Sequence, residues 1–192
     1  MRSSFRGVVL LLPVLAAVAC GGGGGGSGDG GVVNPSPNPV IASFRSDDNT
    51  PTVNTVALIQ GSRNADLVTV RVTVTDATAV FATAFEIVYD TTKAGYVNWS
   101  PGSLLEQGGH VPTYTISDSG TGRVVVAASR TGAAGTVNAA GTVTVVNLTF
   151  RMKVVGESRA DFATSPVLYD GQNPPVAKSD ITWTAGSLVG TE

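Results

Sequence analysis

The sequence predicts an all-β protein, a nine-stranded β-sandwich with jelly-roll topology. Apolar and polar side chains alternate with the period of a strand along most of the chain, and no window offers a convincing amphipathic helix. The composition agrees, because Thr, Val, Ala and Gly dominate and charged residues make up only 14%. The 192-residue chain has one cysteine, so we expect no disulfides and a fold held together by its core.

The expected strands are separated by short segments rich in Gly, Asp, Asn and Ser, which are typical of turns. Segment 67–75 is the clearest strand, with valine at its even-numbered positions and mainly threonine at the odd ones. Segment 142–154 is a β-branched run whose even-numbered residues from Val146 to Met152 are expected to face the core. The nine expected strands are 54–60, 67–75, 81–89, 95–99, 112–117, 123–129, 142–154, 162–169 and 182–189.

The first 19 residues have the pattern of a secretory signal. Two arginines without an acid precede an apolar run, 8–19, that is too short to cross a bilayer, which needs about 20 residues. Ala17-Val18-Ala19 before Cys20 resembles the lipobox of bacterial lipoproteins. The resemblance implies cleavage before Cys20 and diacylation of its sulfur. An ordinary secretory signal, with Cys20 incidental, is the alternative.

A tether is expected between Cys20 and the folded domain. The glycine-rich stretch 21–31 is a flexible coil, and Asn34–Pro39 is stiffer and favours polyproline II. Together they span about 25–30 Å as a random coil. The predicted organisation is therefore a lipoprotein signal peptide at 1–19, a lipidated cysteine and tether at 20–43, and a β-sandwich domain at 44–192.

Several motifs resemble, in order, those of the cohesin domain family. They are FEIVYD at 85–90, SPGSL at 100–104, GTVTVVNLTF at 141–150 and LYDG at 168–171. The resemblance covers about residues 54–190. It implies a nine-stranded jelly roll that binds dockerin modules and catalyses nothing.

The resemblance also implies where a partner would bind. In cohesins the outward face of the strand that corresponds to 81–89, with its neighbours, accepts the dockerin helix. The corresponding outward residues here are Ala82, Ala84, Glu86 and Val88. The family commonly has Asn or Asp at the positions of Ala82 and Ala84, so the alanines indicate a departure from standard recognition. A more apolar partner, or a face that binds nothing, is the alternative.

No catalytic, metal or cofactor site is predicted. His110 is the only histidine and lies in a glycine-bounded loop, whereas a zinc site takes three or four protein ligands. Asp90, Asp118 and Asp170 stand where a turn needs an Asp side chain to accept backbone N–H groups. The net charge of −2 and the isoelectric point near 5.3 give no indication of nucleic-acid binding.

A carbohydrate-binding module is the alternative function, because the same sandwich hosts such modules. Sugar stacking needs exposed, coplanar aromatic rings, and aromatic residues are only 6% of the chain, so a long stacking strip is not expected. A structural envelope protein without a dedicated ligand is the third possibility. The candidate stacking residues are Tyr96, Trp99, Tyr114 and Trp183.

For all three functions the expected location is extracytoplasmic and lipid-anchored. In a Gram-negative host we expect the outer membrane, because Gly21 and not an aspartate follows Cys20.

Overall fold

The computed structural model describes residues 39–132, 135–163 and 165–192. The predicted signal peptide, Cys20 and most of the predicted tether lie outside the described residues. The described residues form twelve strands and one short 3-10 helix, Gln107–Gly109. The strands are β1 (Ile41–Ser46), β2 (Thr55–Asn64), β3 (Leu67–Thr75), β4 (Ala82–Val88), β5 (Ala94–Pro101), β6 (Thr113–Asp118), β7 (Arg123–Ser129), β8 (Thr142–Met152), β9 (Gly156–Phe162), β10 (Val167–Tyr169), β11 (Thr182–Thr184) and β12 (Gly186–Thr191).

The strands form two sheets, which confirms the predicted sandwich. The first sheet has the order β1-β12-β9-β4-β7-β6, and the second has the order β11-β2-β3-β8-β5. Neighbouring strands are antiparallel except β11, which runs parallel to β2. Short β10 pairs with the first half of β4, and β9 pairs with its end at Ile87 and Val88. Because β7 pairs with the whole of β4, β9 and β10 follow each other along its opposite edge.

The strand count of nine was too low, for three local reasons. Strand β1 begins at Ile41, inside the segment expected to be tether. Strand β9 escaped notice because its buried side chains are small, Ser158 and Ala160, while its outward ones are charged. The expected strand 182–189 is two strands, since the chain passes from one sheet to the other at Ala185.

The core lies between the sheets and is built from alternate residues of each strand. The four valines of β3 are at most 1% exposed, as their period predicted. Phe150 of β8 is 1% exposed and contacts the rings of Tyr89 and Tyr96 edge to face, with centroids 5.3 and 5.9 Å away. A fully buried side chain of this size contributes about 1.5–3 kcal/mol, and such contacts substitute for disulfides.

The pairing register fixes where the chain ends lie. Ile41 pairs with Thr191, so the first and last strands meet at one pole of the first sheet. Strand β9 pairs with β12 near that pole and with β4 at its other end. The first half of β4 therefore lies at the opposite pole, roughly 30–35 Å from Ile41 at 3.3 Å per residue.

In the described part of the chain no helix has the length and apolar character needed to span a membrane.

Candidate partner-binding face

Strand β4 presents the residues that the sequence singled out on its outward side. Thr83, Phe85 and Ile87 point inward and are 4%, 5% and 1% exposed. The alternate residues point outward and are half-buried, since they lie in the middle of a sheet. They are Ala82, Ala84, Glu86 and Val88. Their role in binding a partner stays a prediction.

The neighbouring strands continue this face in register. Ala84 lies between Ala127 of β7 and Val167 of β10, and Ala82 lies between Ser129 and Tyr169. On β6, Thr115 is opposite Ala127, and Thr113 is opposite Ser129. The half of the face that lies farther from Ile41 therefore consists mainly of small side chains, with hydroxyl groups along one side.

This arrangement leaves a depression of about 220 Å³ in the sheet surface. We call it the alanine depression; its floor is Ala82, Ala84 and Ala127. Tyr169 forms one wall, and the other wall is the hydroxyl row, which we define as Thr113, Thr115 and Ser129. None of the residues that line the depression is charged. A second depression of about 230 Å³ adjoins it between Glu86 and Val125.

The described ion pairs of this face lie in its other half, which is nearer to Ile41. Glu86 accepts a hydrogen bond from Arg123 at 2.6 Å. Further towards the chain ends, Arg159 donates to Asp161 at 2.8 Å and to both carboxylate oxygens of Asp47. The hydrogen bonds from Arg159 lower the pKa of Asp47 below its usual value. Asp47 is thus held ionised, and Glu86 and Asp161 are each paired with an arginine.

The three aspartates expected to stabilise turns do so, which confirms that interpretation. Asp90 accepts the backbone N–H and the hydroxyl of Thr92 at 2.9 and 2.6 Å. Asp118 accepts the N–H of Gly120 at 2.9 Å. Asp170 accepts the backbone N–H groups of both Gln172 and Val176. Their carboxylates are occupied within their own loops.

The four aromatic candidates for sugar stacking do not share a surface. Trp99 is 38% exposed and tilts against Tyr114 with centroids 5.1 Å apart, where the edges of the two sheets meet. Tyr96 packs against the core through Phe150. Trp183 packs against Phe162 at 4.9 Å and borders a separate cleft of about 480 Å³. The rings contact one another or the core, so they form no coplanar platform.

One buried residue was missed by the sequence analysis. Arg130 follows β7 and is only 3% exposed. Its guanidinium donates to the carbonyl groups of Leu105, Gln107 and Gly135 at 2.7, 3.0 and 2.9 Å. It therefore fixes the loops beside the alanine depression. His110, by contrast, is an exposed residue just after the 3-10 helix.

Among the described residues, no group of three or more His, Cys, Asp or Glu side chains is placed to hold a metal ion.

Comparison with known families decides which class of sandwich this is. The model of the cohesin domain matches residues 55–186. The chain belongs to the cohesin family. Cohesin modules are non-catalytic protein-binding modules, so this one is a binding module and not an enzyme. A comparison with curated proteins finds no match.

Solved structures show the same fold. The sixth cohesin of scaffoldin B from Acetivibrio cellulolyticus, crystallised with a Cel5 dockerin variant, is 18% identical, with a TM-score of 0.52 over 75% of this chain and 96% of that one. A type II cohesin domain from the cellulosome of the same organism is 14% identical, with a TM-score of 0.54 over 79% and 95% of the two chains. At these identities the likeness establishes the fold and leaves the partner open.

Proposed function

We propose that this chain is a lipid-anchored, extracytoplasmic cohesin module that holds a dockerin-bearing protein close to the cell envelope. Its membership of the cohesin family carries the proposal. The solved relatives support the nature of the partner, since several were crystallised with dockerins. The outward face of β4 and its neighbours is the surface proposed to bind.

The shape and exposure of this face suit a protein partner. Strands β10, β4, β7 and β6 give a sheet surface that contains the two depressions described above. Val125 at its centre is 40% exposed, and Ala127, Thr113 and Thr115 are exposed as well. A helix laid across such a surface would bury small and apolar groups without disturbing the core.

The anchor is proposed from the sequence. Cys20 is the only cysteine, it follows a lipobox-like Ala17-Val18-Ala19, and the glycine-rich segment after it would give the domain slack. Since Gly21 replaces the aspartate that favours inner-membrane retention, we propose the outer membrane when the host is Gram-negative.

Partner capture tests the binding half of the proposal. The full chain, purified in detergent, serves as bait for the secreted and envelope proteins of the host, with calcium or with a chelator. Dockerin modules fold around calcium in EF-hand-like loops, so we expect a prey that carries this duplicated loop and that the chelator releases.

Two variants show whether capture uses the proposed face. Ala84→Arg should abolish capture, whereas Ser43→Arg, on the outward side of the same sheet at the other pole, should retain it. A folded bait that enriches no calcium-loop protein would contradict the proposed function. Equal capture by both variants would place the binding surface elsewhere.

Metabolic labelling tests the anchor separately. Cells that express the full chain are grown with radiolabelled palmitate, and Cys20→Ala should lose both the label and the membrane association. Cys20→Ala protein that keeps its label would exclude lipidation at this residue, whatever the outcome of the capture experiment.

A further inference from the structure

The alanine depression is large enough to receive one side chain of a partner. Its volume of about 220 Å³ equals that of about seven water molecules at roughly 30 Å³ each. The space exists because the floor residues Ala82, Ala84 and Ala127 carry only a methyl group. Any larger residue at these positions would fill it.

The hydroxyl row gives the depression free hydrogen-bonding groups. Among the described residues, the hydroxyls of Thr113, Thr115 and Ser129 form no hydrogen bond with another protein group. The inward hydroxyl of Thr83, by contrast, donates to the carbonyl of Val167 at 2.9 Å. When a partner covers the row, each hydroxyl loses water and needs a new hydrogen bond.

The charge of the depression restricts what can enter it. No charged residue lines it, and the nearest outward charge on β4, Glu86, is already paired with Arg123 at 2.6 Å. A Lys, Arg, Asp or Glu of the partner would therefore be buried there without an opposite charge, which is costly. The complementary side chain is uncharged and can both donate and accept hydrogen bonds.

On the basis of the proposed function, we infer that the alanine depression determines the partner specificity of this module. It accepts a Ser, Thr, Asn or Gln side chain from the contacting helix of a dockerin-like module. The hydrogen bonds come from Thr113, Thr115 and Ser129 on β6 and β7. In the cohesin pattern to which the sequence was compared, the polar groups stand on the strand equivalent to β4. Here they stand one and two strands away, on β7 and β6, and β4 contributes two of the three alanines of the floor.

A displayed library tests this inference. Dockerin modules with randomised residues on their exposed helices are shown on yeast, loaded with calcium, and selected against the detergent-solubilised full chain. We expect the enriched modules to share an uncharged polar residue at one helix position. Thr115→Val should weaken their binding about tenfold through loss of one hydrogen bond. Ala84→Leu should weaken it roughly tenfold to a hundredfold, the scale of an overpacked contact.

Matched variants at the other pole of the same outward face control for general effects. Thr191→Val removes an exposed threonine hydroxyl, and Ser43→Leu adds comparable bulk; neither should alter binding. If the enriched modules bind Ala84→Leu and Thr115→Val as tightly as they bind the unchanged chain, the inference is wrong, whereas the proposed function is not contradicted. Selection of charged residues at the shared position would also overturn it. A library that yields no binder would contradict the proposed function itself.

Discussion

The buried guanidinium of Arg130 donates a hydrogen bond to the carbonyl of Leu105 at 2.7 Å. Two further bonds, to Gln107 and Gly135, place loops from different parts of the chain around one side chain. Strand β7, which ends just before Arg130, carries Ala127 and Ser129. The contact thus links the stability of the fold to the shape of the candidate face.

We predict that Arg130→Met lowers the free energy of unfolding by about 2–3 kcal/mol, because buried carbonyl groups lose their donors. Urea denaturation followed by circular dichroism measures the change. Arg123→Met is the matched control, since Arg123 is the first residue of β7, the strand that Arg130 follows, and forms an exposed ion pair worth less than about 1 kcal/mol. Equal stability of the two variants would show that the loops do not depend on Arg130.

Gly102 is predicted to tolerate no side chain. Its N–H donates to the carbonyl of Val145 at 2.9 Å, and a Cβ would lie 2.7 Å from that residue's carbonyl carbon. Gly102→Ala should therefore cost about 1–3 kcal/mol, the range for overpacking. Gly95→Ala, on the preceding strand, should be close to neutral because its Cβ would meet only the flexible end of Lys153. Thermal denaturation of both variants measures the two changes in stability. A neutral Gly102→Ala would contradict the close contact between Gly102 and the backbone of Val145.

The stability of the domain should fall in alkaline solution. Burial raises the pKa of Tyr89 above its usual 10.0. At a pH at which this phenol is already ionised in the unfolded chain, it is therefore still protonated in the folded protein. This contribution is fully present below about pH 10 and is lost as the pH rises through the folded-state pKa. Burial raises the pKa values of Tyr96 and Tyr114 in the same direction.

Urea titrations between pH 8 and pH 11 measure this dependence. Tyr89→Phe should flatten it, although the variant starts less stable because the N–H of Tyr96 loses its acceptor. An unchanged slope for Tyr89→Phe would show that this phenol does not contribute.

Glycan retention should not depend on the exposed tryptophan. Because Trp99 lies tilted against Tyr114, it offers no flat platform to a sugar ring. We predict that the full chain and Trp99→Ala are retained equally weakly on insoluble cellulose and xylan columns. Strong retention that Trp99→Ala abolishes would favour the carbohydrate-binding alternative.

The sequence predicted those parts of the fold in which one face of a strand is strongly apolar. In β3 and β8 the buried positions carry Val, Leu, Phe and Met, so the period of two was visible. In β9 the buried positions carry only Ser158 and Ala160, and the outward charges dominate the pattern. The hydrophobic signal was absent although the strand is central to its sheet.

The candidate site was predictable only along one strand. Alternation placed Ala84 outward, but the register that puts it beside Ala127 joins residues 43 positions apart. Neither the alanine depression nor its hydroxyl row can be derived without that register. Arg130 was missed for a different reason, since arginine is seldom buried and only its partner carbonyl groups make its position favourable.

Because the first and last strands meet at one pole of the first sheet, the chain enters β1 roughly 30–35 Å from the alanine depression. If Cys20 carries the proposed lipid, a partner in the depression would therefore dock at the pole remote from the residue where the anchored segment joins β1. The length of the sheet, rather than a loop, would then separate that partner from the point of attachment.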